Sequence, residues 1–571
     1  MRLIDVNTLE LKEFFGRKTP PYAILSHTWG DEEVTFQEWE HRTDNTVKRK
    51  EGYAKIMGAC RRALVDGFEY LWCDTNCIDK RSSAELSEAI NSMFAWYHDS
   101  VICYAYLADI KPGGVKLADS RWFARGWTLQ ELLAPARVVF FDRQWNVLGY
   151  RKELASLISE TARIHIGALA DRETIRDYSV AQRMSWAADR QTSRSEDIAY
   201  CLLGIFDINM PLLYGEGSKA FTRLQREIIN VSNDQSILAW DLRYPNAQPW
   251  TSALALSPSE FRFCGSIVRN HETQRASYSI TNLGISMRLA LIKTLVGGMV
   301  LVGLNCAREL YKEASDSRLP DGTKLRRHFR IWITLRHLKH DTYVRVHHSS
   351  SKIYLEQSYP TLAYPLLTDL FLSLNPTPAH PTDLVKSPAE LLRQHSSYNP
   401  SGIFVSVASG KMTSHGRTFG EVYPLGNIII IQLKRQYASR TSHQLVSCGD
   451  LSVIISVFWD EHGSPQEWLH TVIFDPKLKV SSQMTSQDEW KCLFEADNHG
   501  KGFQSSNSAI TMHSLHRKLQ RVNRELLSTY VEEEKDPIVI IEKQPLKDMF
   551  GQPELMVEVI FRETPRYRKG V

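Results

Sequence analysis

Trp127 and Glu131 stand four residues apart in the stretch Arg125-Gly-Trp-Thr-Leu-Gln-Glu-Leu-Leu133. On a helix that spacing puts both side chains on one face. An indole beside a carboxylate shields it from water, raises its pKa and suits it to chemistry. The plainer alternative is an amphipathic helix with Trp127 in the core and Glu131 in solvent. A second polar group lies earlier: Ser26, His27, Trp29 and Gly30, then Asp74, Asn76 and Cys77. Each again has a plainer reading. His27 hydrogen-bonds within its turn, Gly30 supplies a positive φ, and Asp74 caps the next element. Cys73 and Cys77 have no flanking histidine pair, so no metal is expected. Ser26 and His27 are strand neighbours that face opposite ways, which argues against a nucleophile–base pair.

These residues acquire meaning from the elements that must hold them. Four short apolar runs, residues 22–27, 70–73, 101–106 and 138–141, read as strands. Between them lie helical stripes. Tyr53, Ile56, Met57, Cys60 and Leu64 recur at helical spacing, with Gly67 placed as a C-terminal cap. Leu86, Ile90, Met93, Phe94 and Tyr97 form another stripe behind Ser82 and Glu85, which have capping-box spacing. The alternation predicts an α/β fold with a parallel, doubly wound sheet over residues 1–150. In such sheets ligands bind beyond the carboxyl ends of the strands. Ser26, His27, Trp29, Gly30 and Asp74 all fall at that rim, to which the Trp127–Glu131 helix must return.

Three ordered blocks carry a family resemblance: YAILSHTWG, EYLWCDTNCIDK with MFAWYHDS, and SRWFARGWTLQELLAP. The region resembles the fungal heterokaryon-incompatibility (HET) domain, and the likeness continues through Met184-Ser-Trp186 and CLLGIFDINMPLLYGEGSKAFTRLQREI to Trp240. The resemblance implies non-self recognition and triggered cell death in filamentous fungi, a form of innate immunity in the cytoplasm. HET domains are in turn similar to TIR domains, which implies a TIR/flavodoxin-like sheet. Some TIR domains cleave NAD⁺ at the nicotinamide–ribose bond with the glutamate of a W-x-x-x-E pattern. Trp127 and Glu131 match that pattern, and residues 24–30 correspond to the segment lining the TIR pocket. On this reading Glu131 is the catalytic carboxylate, and Ser26, His27, Trp29, Gly30, Asp74 and Trp127 bind NAD⁺ as substrate. Neither metal nor further cofactor is expected. Self-association on activation and a non-self protein partner are expected. The alternative from a different class is a death-signalling module that assembles without catalysis.

The remainder is read more coarsely. Residues 151–240 are expected to be a helical extension, with a long amphipathic helix over 181–206 and another over 219–231. Glu216 and Lys219 read as solvated. From residue 241 strands dominate: a β-rich domain over 241–365 and a second β-rich region over 366–571. Strands are expected at 277–280, 285–292, 299–305 and 328–335, with a hairpin turn at Gly297-Gly298. Further strands are expected at 402–408, 427–433, 451–458, 468–474, 538–541 and 555–561, and a helix around 515–526. No GxxxxGK[ST] loop and no GxGxxG fingerprint occurs, which argues against a nucleotide-triphosphatase switch and a hydride-transferring Rossmann enzyme. The net charge of +4 over 571 residues, without a basic stripe, argues against nucleic-acid binding. Nine scattered cysteines without a CxxC pair fit reduced thiols. The most apolar run, 289–306, is broken by Lys293 and the glycine pair, so no membrane span is expected.

Overall fold

The computed structural model describes residues 1–111, 114–240 and 250–270, and thereafter the strands and short connections between residues 277 and 562. The chain divides into two compact units. One comprises Met1–Ser232 with Ala255–Gly265, the other Asn233–Leu254 with Ser266–Val571. This is coarser than the fourfold division at 150, 240 and 365, which remains an expectation.

The first unit is built on one sheet of seven strands: β1 (Arg2–Asp5), β2 (Leu11–Glu13), β3 (Ala23–His27), β4 (Tyr70–Trp72), β5 (Ile102–Tyr106), β6 (Val138–Phe141) and β7 (Val147–Tyr150). Their order is β2-β1-β4-β3-β5-β6-β7. The four anticipated strands are the parallel centre, with β3 pairing both β4 and β5, and β5 pairing β6. A purely parallel sheet is corrected, however. β1, β2 and β7 add antiparallel edges, making the sheet mixed. These edge strands carry weak signals. β2 and β7 have no fully buried residue, so they lack the apolar run that betrays a central strand.

The helices follow from the sequence stripes. Glu51–Val65 buries Ile56, Ala59, Cys60 and Ala63, and Gly67 takes φ +83° just beyond its end. Ser82 caps Ser83–Asp99 by accepting the Glu85 N–H at 3.3 Å. Only half of the capping box forms. The Glu85 carboxylate accepts from the Asp79 N–H at 2.8 Å and pairs with Arg2. Trp39, Trp72, Trp122, Tyr97, Tyr104, Phe140 and Phe141 are almost fully buried and fill the first unit's core.

The expected helix over 181–206 is also corrected. It is three short helices, Val180–Ser185, Asp197–Tyr200 and Leu203–Phe206. The intervening Gln191 leaves helical geometry to bridge a strand-like segment. Its N–H donates to the Ala124 carbonyl at 2.7 Å, and its carbonyl accepts from Gly126 N–H at 2.8 Å. The helix Lys219–Val231 has the expected bounds. Glu216 is not free in solvent, because Arg223 and the Tyr200 hydroxyl both bond its carboxylate.

The second unit is β-rich. Its long strands Met299–Glu313 and Lys324–His337 pair antiparallel, and each outruns the predicted apolar core. Gly284–Lys293 pairs antiparallel with Met299–Glu313 around residues 294–298, which lie outside the described residues. Gly416–Leu425, Ile428–Ala438, Leu445–Trp459 and Pro465–Asp475 form a four-stranded antiparallel sheet in sequence order. The helix expected around 515–526 lies outside the described residues. Among the described residues, no helix is long and apolar enough to cross a membrane.

Candidate functional site

Because β3 and β4 run parallel, Ser26-His27 and Cys73-Asp74 emerge on the same edge of the sheet. The short helix Thr128–Leu133 returns Glu131 to that edge. It is placed by a turn at Gly126, which lies against Gln191. A Cβ at Gly126 would sit 2.5 Å from Thr192 Cγ2 and 3.2 Å from Cys201 Sγ. Arg190 braces the turn, donating to the Arg125 carbonyl and Thr128 Oγ1, both at 2.9 Å.

Glu131 is 6% exposed. Its carboxylate accepts a short hydrogen bond from the Ser26 hydroxyl, which in turn accepts from Trp122 Nε1 at 2.9 Å. The Tyr97 hydroxyl, which donates to the Leu25 carbonyl at 3.2 Å, also acts on the carboxylate. Burial pushes the Glu131 carboxyl up to about 8. Asp74 adds to that rise, while the Ser26 and Tyr97 bonds and Arg125 oppose it. A shielded, high-pKa acid is therefore present, but its geometry differs from expectation. Trp127 precedes the helix, and its indole acts on the Asp197 carboxyl, lowering the pKa that burial raises. The indole in the Glu131 network is that of Trp122.

The other anticipated residues gather beside this pair. Trp29 is 39% exposed, and its Nε1 donates to Asp74 Oδ2 at 2.9 Å. Lys80 Nζ lies 3.4 Å from the Trp29 ring centroid, and Arg125 lies 5.4 Å from it on its own approach. Arg121 fastens the loop by donating to Thr28 Oγ1 and the Trp29 carbonyl, both at 3.1 Å. Gly30 has no positive φ, and a Cβ there would meet only Glu33 Oε1 at 3.9 Å. Its N–H donates to that oxygen at 2.8 Å.

His27 makes none of the turn hydrogen bonds anticipated for it. It is buried, and neither ring nitrogen has a hydrogen-bond partner. Its Nε2 lies 3.7 Å from Glu33 Oε2 and 3.9 Å from Asp74 Oδ1. Burial and the charges of Lys55, Arg125 and Lys80 hold the imidazole well below its usual pKa, hence neutral. His27, Cys73 and Asp74 bring ligand atoms within 4.8 Å of one another. Ser26 and His27 thus serve two separate neighbourhoods, as their alternation on the strand requires. Sequence reasoning missed Trp122, Glu33, Lys55, Tyr97 and Lys80. Trp122 stood in the same block as Trp127, but only the four-residue spacing was legible there.

The first unit is an α/β domain with a buried acid and a half-exposed tryptophan at the carboxyl rim of a central parallel strand set. The family model described as "Heterokaryon incompatibility protein (HET)" matches residues 22–116. Vegetative incompatibility protein HET-E-1 of Podospora anserina is 45% identical over 246 residues, covering 41% of this chain. That match spans only 18% of the relative's own length. Residues 22–116 thus carry the likeness to the HET domain. No solved structure matches the chain.

Proposed function

We propose that this chain acts in heterokaryon incompatibility, in the cytoplasm, where recognition of non-self ends in cell death. Its first unit does so by splitting NAD⁺ at the nicotinamide–ribose bond. The observation that carries this reading is the buried Glu131, hydrogen-bonded to Ser26 where β3 ends. The strand order β4-β3-β5-β6 supports a doubly wound, TIR/flavodoxin-like centre, in which ligands bind at that edge.

As the C–N bond breaks, its electron pair leaves with nicotinamide and the ribose gains positive charge. Glu131, ionised beside that cation, stabilises it as carboxylates do in glycosidases. Ser26 holds the carboxyl in place, and Trp122 holds Ser26. Trp29 offers an exposed ring on which a base can stack. Lys80 and Arg125 place positive charge beside it for the phosphates. Water then takes up the ribosyl cation and loses a proton. The step uses no metal.

Glu131→Gln keeps the shape and removes the charge. NAD⁺ loss in cells expressing the full chain is expected to stop with this variant at equal protein level. Undiminished killing by it would sink the enzymatic reading and leave the non-enzymatic assembly module, for which the change is harmless. Activation is proposed to require self-association with a second copy. A strict monomer in the active state, by size-exclusion chromatography, removes that part.

A further inference from the structure

We propose that His27, Cys73 and Asp74, with Glu33 completing the set, form a binding site for a divalent cation of the zinc class. The site lies beside the Ser26–Glu131 pair and shares no ligand with that pair, although His27 and Asp74 are also read as lining the NAD⁺ pocket.

Three potential donors, His27, Cys73 and Asp74, converge from two segments of chain, and Glu33 approaches His27 from a third. His27 Nε2 and Glu33 Oε2 are buried and without hydrogen-bond partners, 3.7 Å apart. Asp74 Oδ1 lies 3.9 Å from the same nitrogen, and Cys73 Sγ is within 4.8 Å of both the His27 and Asp74 ligand atoms. Ligands at ordinary zinc distances, about 2.0–2.3 Å from the ion, stand roughly 3.3–3.7 Å from one another. Drawing His27, Cys73 and Asp74 together takes movements of about 1 Å, with Glu33 entering from the His27 side. A mixed nitrogen, sulfur and carboxylate set suits borderline-soft zinc better than magnesium or calcium.

The surroundings are arranged as metal-site surroundings are. Each carboxylate has one oxygen held from outside and the other turned to His27. Glu33 Oε1 accepts from Lys55 and from the Gly30 N–H at 2.8 Å. Asp74 Oδ2 accepts from Trp29 Nε1 at 2.9 Å and has Lys80 at 3.7 Å. Thr75 Oγ1 lies 3.1 Å from Cys73 Sγ, placed to donate to a thiolate. Partners of this kind orient ligands and tune their basicity. Lys55, Lys80 and Arg125 oppose a cation, and a thiolate and two carboxylates offset their charge one for one. A neutral imidazole with two unpartnered nitrogens is costly to bury, and a metal bond at Nε2 removes part of that cost.

The test is direct binding to the purified full chain after chelator treatment. Zn²⁺ should bind saturably, and Co²⁺ should give a thiolate-to-cobalt charge-transfer band. Cys73→Ser is expected to abolish that band. Asp74→Asn should weaken Zn²⁺ binding about 10–100-fold. Glu131→Gln should bind as the parent does, which separates this site from the NAD⁺ reading. Should Cys73→Ser fail to fold, Asp74→Asn and Glu33→Gln carry the test, with near-ultraviolet circular dichroism of the chelated proteins as the folding check. No saturable uptake by the parent, a band that survives Cys73→Ser, or unchanged affinity in Asp74→Asn would each overturn the site.

Discussion

Glu131 is costly to keep and easy to probe. Its folded pKa, raised to about 8 against an ordinary 4.5, has a definite sign. Between these values the folded state holds a proton that the unfolded state has released. The group's contribution is therefore fully present below about pH 4.5 and is lost as pH rises through about 8. Glu131→Gln removes that ionisation. The variant should melt with the parent at pH 5 and above it at pH 9, by an amount on the order of a few kcal/mol. Activity follows the opposite course. The proposed chemistry needs the carboxylate, so kcat/KM for NAD⁺ should rise about tenfold per pH unit below 8 and level off above. A pH-independent kcat/KM between 6 and 9 would remove Glu131 as the acting carboxylate. At this scale the sequence named the acid but not its indole. The i,i+4 rule presumes a continuous helix, whereas Trp127 sits at its start and stands near Asp197, far along the chain. Glu33 and Lys55 were equally illegible, because their meaning depends on a loop folding over the end of β3.

At the scale of elements, apolar run length decided what was legible. The central strands β3 and β5 are buried at every position, and such runs announce themselves. β2 and β7 are the edges and β1 lies just inside β2, and strands of three or four residues leave little periodic trace. The helix predicted over 181–206 failed at its polar middle, where Gln191 exchanges hydrogen bonds with Ala124 and Gly126. That exchange sets the direction of the helix carrying Glu131, so Gly126 is a test of positioning. Gly126→Ala must push Thr192 or the Glu131 helix aside. Overpacking of this kind costs about 1–3 kcal/mol, and a shift of about 1 Å at the carboxylate can cost up to about 100-fold in turnover. Expected is a fall in kcat of at least about tenfold with little change in KM. Gly204→Ala is the control. Its Cβ would fall 2.0 Å from Phe94 Cβ, which a Cβ at Gly126 does not meet. It should lower the melting temperature without lowering turnover per folded molecule. Equal turnover losses in the two variants would mean that stability alone is being read.

For the whole molecule the informative segment is Ala255–Gly265, which belongs to the first unit although residues 233–254 do not. Nothing in its composition announces this return, since the relevant pairing is long-range. Gln225, on the helix Lys219–Val231, is fully buried and exchanges two hydrogen bonds with Ala255. Its Nε2 donates to the Ala255 carbonyl at 2.8 Å, and its Oε1 accepts from the Ala255 N–H at 3.0 Å. Gln182 Nε2 donates to the Gly265 carbonyl at 3.0 Å, and Phe261 is fully buried. A fragment ending at residue 240 loses these three hydrogen bonds and uncovers the Phe261 site. Each lost hydrogen bond is worth about 0.5–1.5 kcal/mol and the lost burial of the ring roughly 1.5–3 kcal/mol. At about 2–4 °C per kcal/mol for a unit of this size, residues 1–265 should melt roughly 10 °C or more above residues 1–240. Calorimetry on the two fragments checks this. Equal melting temperatures would place the boundary near 240, where sequence likeness alone had put it, and would reduce the returning segment to an ornament of the second unit's leading strand.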